Sequence, residues 1–242
     1  TISGIYRVTS RALAVANSSD VEQQFDGTDA ALSVFATDEN GVSSSATACA
    51  IDVGDMPVEE TARTAAEKCE AAANPTGIEP GEYDVIISPR AIAEVLGWLS
   101  FTSFGAQQMQ EGQSFMAGRV GEQVLGANVS IYDDGLDTAG VPVPFDFEGV
   151  PKKRVALIEN GVVMGPVYDS LTAAKDGVAS TGHAGVASFR GGPAPSNLFV
   201  APGESSAEEL LSSVKRGLMI TNFHYLNGLL DTRKALFTGM TR

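Results

Sequence analysis

Cysteine, histidine and tryptophan are almost missing from this sequence: its 242 residues hold two Cys, two His and one Trp. Cys49 and Cys69 stand 20 residues apart with no CxxC and no Cys/His cluster beside them, which argues against a disulfide framework or a structural zinc knuckle and leaves two idle thiols. Long apolar runs are missing as well. None approaches the roughly 18 residues that cross a bilayer, and the opening TISGIYRVTS has neither a basic start nor an apolar signal core, so a soluble, cytoplasmic chain without membrane contact is expected. Positive charge is scarce. Sixteen Lys and Arg face 30 Asp and Glu, a formal net charge of -14 that repels a phosphate backbone and disfavours direct nucleic-acid binding. The shortage is uneven, with 16 acidic against 5 basic residues over 1–100 and 14 against 11 over 101–242, so an anionic ligand is better tolerated in the second part.

What is present is 43% hydrophobic residues, enough to bury one large core or two modest ones without staples. The alternating segments RALAVANS, ALSVFAT and SSSATACAID, separated by DGTD and DENG, predict an antiparallel meander over 5–52. PVEETARTAAEKCEAAANP predicts a helix over 57–74, with Pro57 at its start and acids in its first turn. YDVIIS predicts a short buried strand. SPRAIAEVLGWLSFTSFG then predicts a helix over 88–99, capped by Ser88 and opened by Pro89, whose Ile92, Val95, Leu96 and Leu99 make one core-facing stripe. Asn160-Gly161 between apolar runs is the favoured two-residue hairpin turn, LTAAKDG is a short helix closed by Gly177, and the tract STGHAGVASFRGGPAPSN is irregular. LFVAP predicts a strand, Ser206 and Glu209 make a capping box that opens a helix over 206–216, and LMITNFHYL predicts one more strand. Together these give an α+β fold, mainly antiparallel strands with a few helices.

The ordered run GEYDVIISP, GVPKKRVALIENGVV, STGHAG, GPAPSN and TGMTR resembles the TldD/PmbA family, the gyrase-modulator family of metalloproteases, along nearly the whole chain. The resemblance implies that residues 1–242 are the central and C-terminal region, the larger part of a subunit whose N-terminal α/β domain and extreme C-terminal strands are absent from this chain. In that family a TldD-type subunit carries HExxxH, in which two His ligate zinc and the Glu polarises the attacking water. On this sequence the motif falls on Ala93, Glu94 and Trp98. A methyl group and an indole cannot ligate a metal, and the family's third ligand, a Cys in the C-terminal portion, is lacking too.

The pattern is therefore similar to the PmbA or TldE type, and STGHAG is similar to that type's own loop. The resemblance implies a non-catalytic subunit of a TldD/TldE metalloprotease active in peptide proteolysis or maturation. It implies no cofactor in this chain, zinc in a TldD-type partner, a dimer with that partner or with itself, and peptide or unfolded protein as substrate. No catalytic or metal-ligating residue is assigned here. Ser180, Thr181, Gly182 and His183 are candidates for peptide-groove or partner contact, with the His183 ring expected to be partly exposed between its glycines.

Other readings of the same residues stand beside these. Ala93 and Trp98 are, more plainly, core residues of a helix, with Glu94 a solvated or paired carboxylate, and His224 is a satisfied strand residue. An independent metallopeptidase with an atypical metal site would draw on His183, Glu94 and nearby acids, and a regulatory protein acting on topoisomerase or toxin systems is suggested only by the family's name. Ser114 in GQSFMAG lacks the spacing of a nucleophile elbow. Asp133-Asp134 and Glu59-Glu60 do not form shared-proton dyads and are expected on solvated faces. DDGLD lacks the Gly and the terminal Glu of a calcium loop. FRGGPAPSN lacks a Walker Lys and suits the close approach of an extended peptide, which an exposed strand edge could extend.

Overall fold

A computed structural model describes residues 1–185 and 192–241, and the chain divides into two compact units. The first comprises Thr1–Ala14, Gln24–Glu82 and Thr138–Val141. Its sheet has the order β1 (Ile2–Ala16), β2 (Glu22–Thr37), β3 (Ser43–Ala50), with β2 and β3 antiparallel, followed by α1 (Val58–Ala71). Every second residue of β2 from Ala30 to Ala36 is buried, and these pack with Ala46, Ala65 and Cys69 as one core. DENG forms the expected β2–β3 turn, where Asp38 Oδ1 accepts from the N–H groups of Asn40 and Val42 and Gly41 takes φ 82°. DGTD does not turn. It lies inside β2, and the chain reverses instead at Asn17, whose Oδ1 accepts from Ser19 and Val21, with Asp20 left-handed at φ 59°.

The second unit comprises Val15–Gln23, Tyr83–Asp137 and Pro142–Arg242. Along it run β4 (Asp84–Ile87), α2 (Pro89–Thr102), α3 (Ala106–Gln110), β5 (Ile131–Asp133), β6 (Val155–Glu159), β7 (Val162–Val163) and α4 (Ser170–Asp176). Then come β8 (Leu198–Val200), α5 (Ala207–Ser213), β9 (Gly217–Ile220), β10 (Phe223–Asp231) and β11 (Leu236–Thr241). β7-β6-β5-β8 is an antiparallel sheet, β10 and β11 form an antiparallel hairpin, and β4 pairs with β9 in parallel. The fold is α+β and mainly antiparallel, as the sequence predicts.

Local signals hold where expected. Ser88 accepts from Ala91 N at the start of α2, and Leu96 and Leu99 are buried with Ile92 and Val95 against the same core. Asn160 and Gly161 take φ 50° and 79° between β6 and β7, Gly177 closes α4 at φ 68°, and both bonds of the Ser206/Glu209 capping box form. Three expectations fail. The YDVIIS strand is not buried, since among the described residues β4 pairs only with β9, and Val85 and Ile87 are exposed. LMITNFHYL is two strands broken at Thr221-Asn222, one parallel to β4 and one in the hairpin. The last helix stops at Ser213, because by Gly217 the chain is extended against Asp84, whose carbonyl would lie 2.5 Å from a Cβ there. Phe104, Met116, Leu157, Ile158, Val163 and Val167 centre the core of this unit, all essentially without exposure.

Candidate functional site

Helix α2 lies against β10, where a Cβ at Gly228 would stand 2.9 Å from both Cβ and Cγ of Trp98. Only glycine lets the helix come this close. Beside this contact opens a groove of about 550 Å³ lined by Glu94, Gly97, Trp98 and Phe101 from α2 and by His224, Tyr225 and Leu226 from β10. Neighbouring strand residues ordinarily face opposite ways, yet His224 and Tyr225 both reach the groove. The hairpin register explains it: Phe223 pairs with Thr241 and Tyr225 with Met240, so His224 is the extra residue of a bulge.

Sequence separation hid the fact that His224 and Glu94 line one groove. His224 lies in strand β10 as expected and is exposed, Ala93 is exposed rather than core, and Glu94 and Trp98 are half-buried. As a zinc site the groove does not fit. A catalytic zinc takes three protein ligands, and the groove offers one carboxylate, one imidazole and an indole whose nitrogen only donates. Among the described residues no group of three or more His, Cys, Asp or Glu is arranged to hold a metal.

The second cluster is internal. Asp133 shares the inward face of β5 with Ile131, and both are buried. His183 Nε2 donates to Asp133 Oδ2 at 2.8 Å, with neither side chain exposed. Asp133 Oδ1 accepts from the backbone N–H groups of Ser196 and Asn197, each at 2.7 Å. Burial would raise this carboxyl, but the hydrogen bond and charge of His183 and the two N–H groups outweigh it and hold Asp133 below the ordinary 3.8. On the other side of the ring, Nδ1 meets Thr181 Oγ1 at 2.9 Å. Thr181 has one proton to give, to Tyr168 O or to Nδ1. The first makes the ring an imidazolium and the second a neutral ring protonated on Nε2. In both, each ring nitrogen is engaged, so His183 cannot ligate a metal.

The expectation of a partly exposed His183 is thus corrected: the residue is 2% exposed. Its neighbouring glycine does permit a close approach, but to the chain itself. Gly182 takes φ 78°, and a Cβ there would meet the carbonyls of Pro151 and Val150 at 2.8 and 2.9 Å. Thr181 and Gly182 are buried and Ser180 is half-buried. Asp146 completes the anchoring, with Oδ2 accepting from Ala184 N at 2.8 Å and Oδ1 from Glu148 and Val150 N. Asp133 is likewise not on a solvated face. The DDGLD loop wraps an amide instead of a cation, since Asn197 Nδ2 donates to the carbonyls of Asp134 and Asp137 at 2.7 and 3.0 Å. Ser114 is structural, donating to Ser103 O and accepting from Met116 N. Residues 186–191 of the glycine-rich tract lie outside the described residues.

Comparison with known proteins agrees with this architecture. Residues 80–242 match the family model of the PmbA/TldA metallopeptidase C-terminal domain. An uncharacterized protein of Methanocaldococcus jannaschii is 29% identical over 219 residues, 89% of this chain and 49% of its own length. A protein of Saccharolobus solfataricus named a zinc metalloprotease TldD homolog is 28% identical over 153 residues, 59% of this chain and 32% of its own. Among solved structures, a candidate modulator of a DNA gyrase from Thermotoga maritima superposes with a TM-score of 0.74 at 35% identity, over 85% of this chain and 47% of its own. TldE from Thermococcus kodakarensis superposes with a TM-score of 0.79 at 25% identity, over 93% and 52%. The chain spans about half the length of these two structures and of the Methanocaldococcus protein. With more than half of its residues inside the family model, the chain belongs to the PmbA/TldD metallopeptidase family.

Proposed function

We propose that this chain is a PmbA/TldE-type subunit that holds peptide for a zinc peptidase whose metal sits in a TldD-type partner. The observation that carries the reading is the groove between α2 and β10. It keeps Glu94 but presents the Trp98 indole where an imidazole would be needed, the other motif position is Ala93, and His224 supplies a single nitrogen. What remains suits binding: an aromatic floor from Trp98, Phe101 and Tyr225 beside β10, which pairs with β11 alone among the described strands. An extended peptide can add to a free strand edge through main-chain hydrogen bonds and place alternate side chains on such a surface. In this reading the loop Ser180, Thr181, Gly182 and His183 is a support, and peptide or partner contact would fall to Ser180, the one of the four that is not buried.

The test is co-expression with a TldD-type subunit carrying HExxxH. Chelator-sensitive peptide hydrolysis is expected from the pair and not from this chain alone, and Trp98→Ala in this chain is expected to raise KM of the pair more than it lowers kcat. The rival reading, an independent metallopeptidase built on His183 and Glu94, would have to use His224 in place of the buried His183, since His224 shares the groove with Glu94. Chelator-sensitive hydrolysis by the isolated chain, lost in His224→Ala, would establish the rival instead.

A further inference from the structure

Lys152 and Ser196 form a pair that peptide holding does not use. Lys152 Nζ donates to Ser196 Oγ across 44 residues of sequence, with the lysine 9% exposed and the serine open to solvent. The amine is fixed from below. Lys152 N donates to Pro144 O at 2.9 Å, and its stem lies on Gly135, where a Cβ would stand 2.5 Å from Lys152 Cδ. The serine is fixed through its backbone. Asp133 Oδ1 accepts from Ser196 N and Asn197 N, Ser100 Oγ donates to the preceding carbonyl of Pro195 at 3.2 Å, and Asn197 clamps the loop beyond. Few exposed hydroxyls are held this firmly, and here the hold delivers Oγ to a sheltered amine.

We infer that Ser196 is a nucleophile with Lys152 as its base, forming a site that activated esters acylate. As Oγ bonds to the ester carbonyl carbon, its proton passes to neutral Lys152, and from there to the departing alkoxide as the carbon–oxygen bond breaks. This leaves an acyl-Ser196 and an alcohol. Water then attacks the acyl carbon and gives its proton to Lys152, which returns it to Oγ as the acyl–Oγ bond breaks, releasing a carboxylic acid. The net reaction is ester plus water to acid plus alcohol, with no metal and no co-reactant. Supply of neutral amine is the limiting condition. Burial draws Lys152 below the ordinary 10.5, opposed by the facing carboxylates Asp133 and Asp146. Ser196–Lys152 is unrelated to the Ser114 sequence motif and independent of the groove.

Labelling of the whole chain with a fluorophosphonate, followed by peptide mapping, tests this, since attack by Oγ on phosphorus expels fluoride and leaves a stable adduct. Expected is one adduct on Ser196, formed at least about 10-fold faster than on the exposed Ser18 or Ser212, with a rate that rises with pH as Lys152 loses its proton. Ser196→Ala should lose the adduct, and Lys152→Gln should slow its formation on the order of 100-fold. If Lys152→Gln does not fold, the pH profile of the wild-type chain decides. Labelling of Ser196 no faster than of the other exposed serines, or a rate flat across pH, or a folded Lys152→Gln that labels normally, overturns the inference.

Discussion

At the scale of the residue, one fully buried hydrogen-bonded pair stands out in the second unit. Asp133 and His183 are fully shielded, and each would be left with unmet polar atoms if the other were removed. His183→Ala should cost about 3–5 kcal/mol in denaturant unfolding, because the Asp133 charge then stays buried without its partner. The pH dependence has a definite sign. Asp133 is held below 3.8 in the folded chain, so its contribution to stability is complete above that value and is lost as pH falls through the lower folded value. Without His183 burial dominates, the folded value moves up, and acid unfolding should begin at a higher pH. The alkaline limb has its own marker. Tyr168 is pushed up to about 12 by burial and by its hydrogen bond to Asp176, so from 10 to about 12 the folded chain keeps a proton the unfolded chain releases. Stability should fall as pH rises through that window, and less so in Tyr168→Phe, as followed by circular dichroism.

Asp133 also shows where sequence reading stops. Strand alternation separates it from Asp134, and that part of the reasoning holds. Its consequence is that one of the two shares the inward face with Ile131, and a buried carboxylate then requires a partner. Nothing local names that partner, which lies 50 residues on in a loop whose glycines point equally to a ligand or to the chain's own backbone. Lys152 and Ser196 were hidden for the same reason.

At the scale of the element, legibility follows the range of the signal. The Ser88 cap, the Asn160-Gly161 turn, the Gly177 stop and the Ser206/Glu209 box depend on neighbours within four residues, and each forms as read. Ser88→Ala should accordingly cost about 1 kcal/mol. Elements defined by distant pairing were misread. β4 is exposed because β9 is its only strand partner among the described residues, β9 and β10 separate because each pairs with a different strand, and the bulge that turns His224 into the groove exists only in the ladder with β11. The packing of α2 on β10 gives a sharper test at this scale. Gly228→Val should destabilise by about 1–3 kcal/mol through overpacking on Trp98 and Phe237. Combined with Trp98→Ala it should cost less than the two substitutions summed, which a double-mutant cycle measures.

At the scale of the whole molecule, family membership and chemistry point in different directions, and the donor atoms decide between them. Relatives named metalloproteases resemble this chain in sequence, yet the groove where Glu94 stands holds two donors where a catalytic zinc takes three. The other histidine has both nitrogens bound inside the fold. In the function proposed above, the acidic balance and the aromatic floor are what a peptide-holding surface would use. The direct measurement is the zinc content of the purified chain after dialysis, by plasma mass spectrometry. The account predicts substoichiometric metal, unchanged in Glu94→Ala and His224→Ala. Stoichiometric zinc that either substitution removes would contradict it.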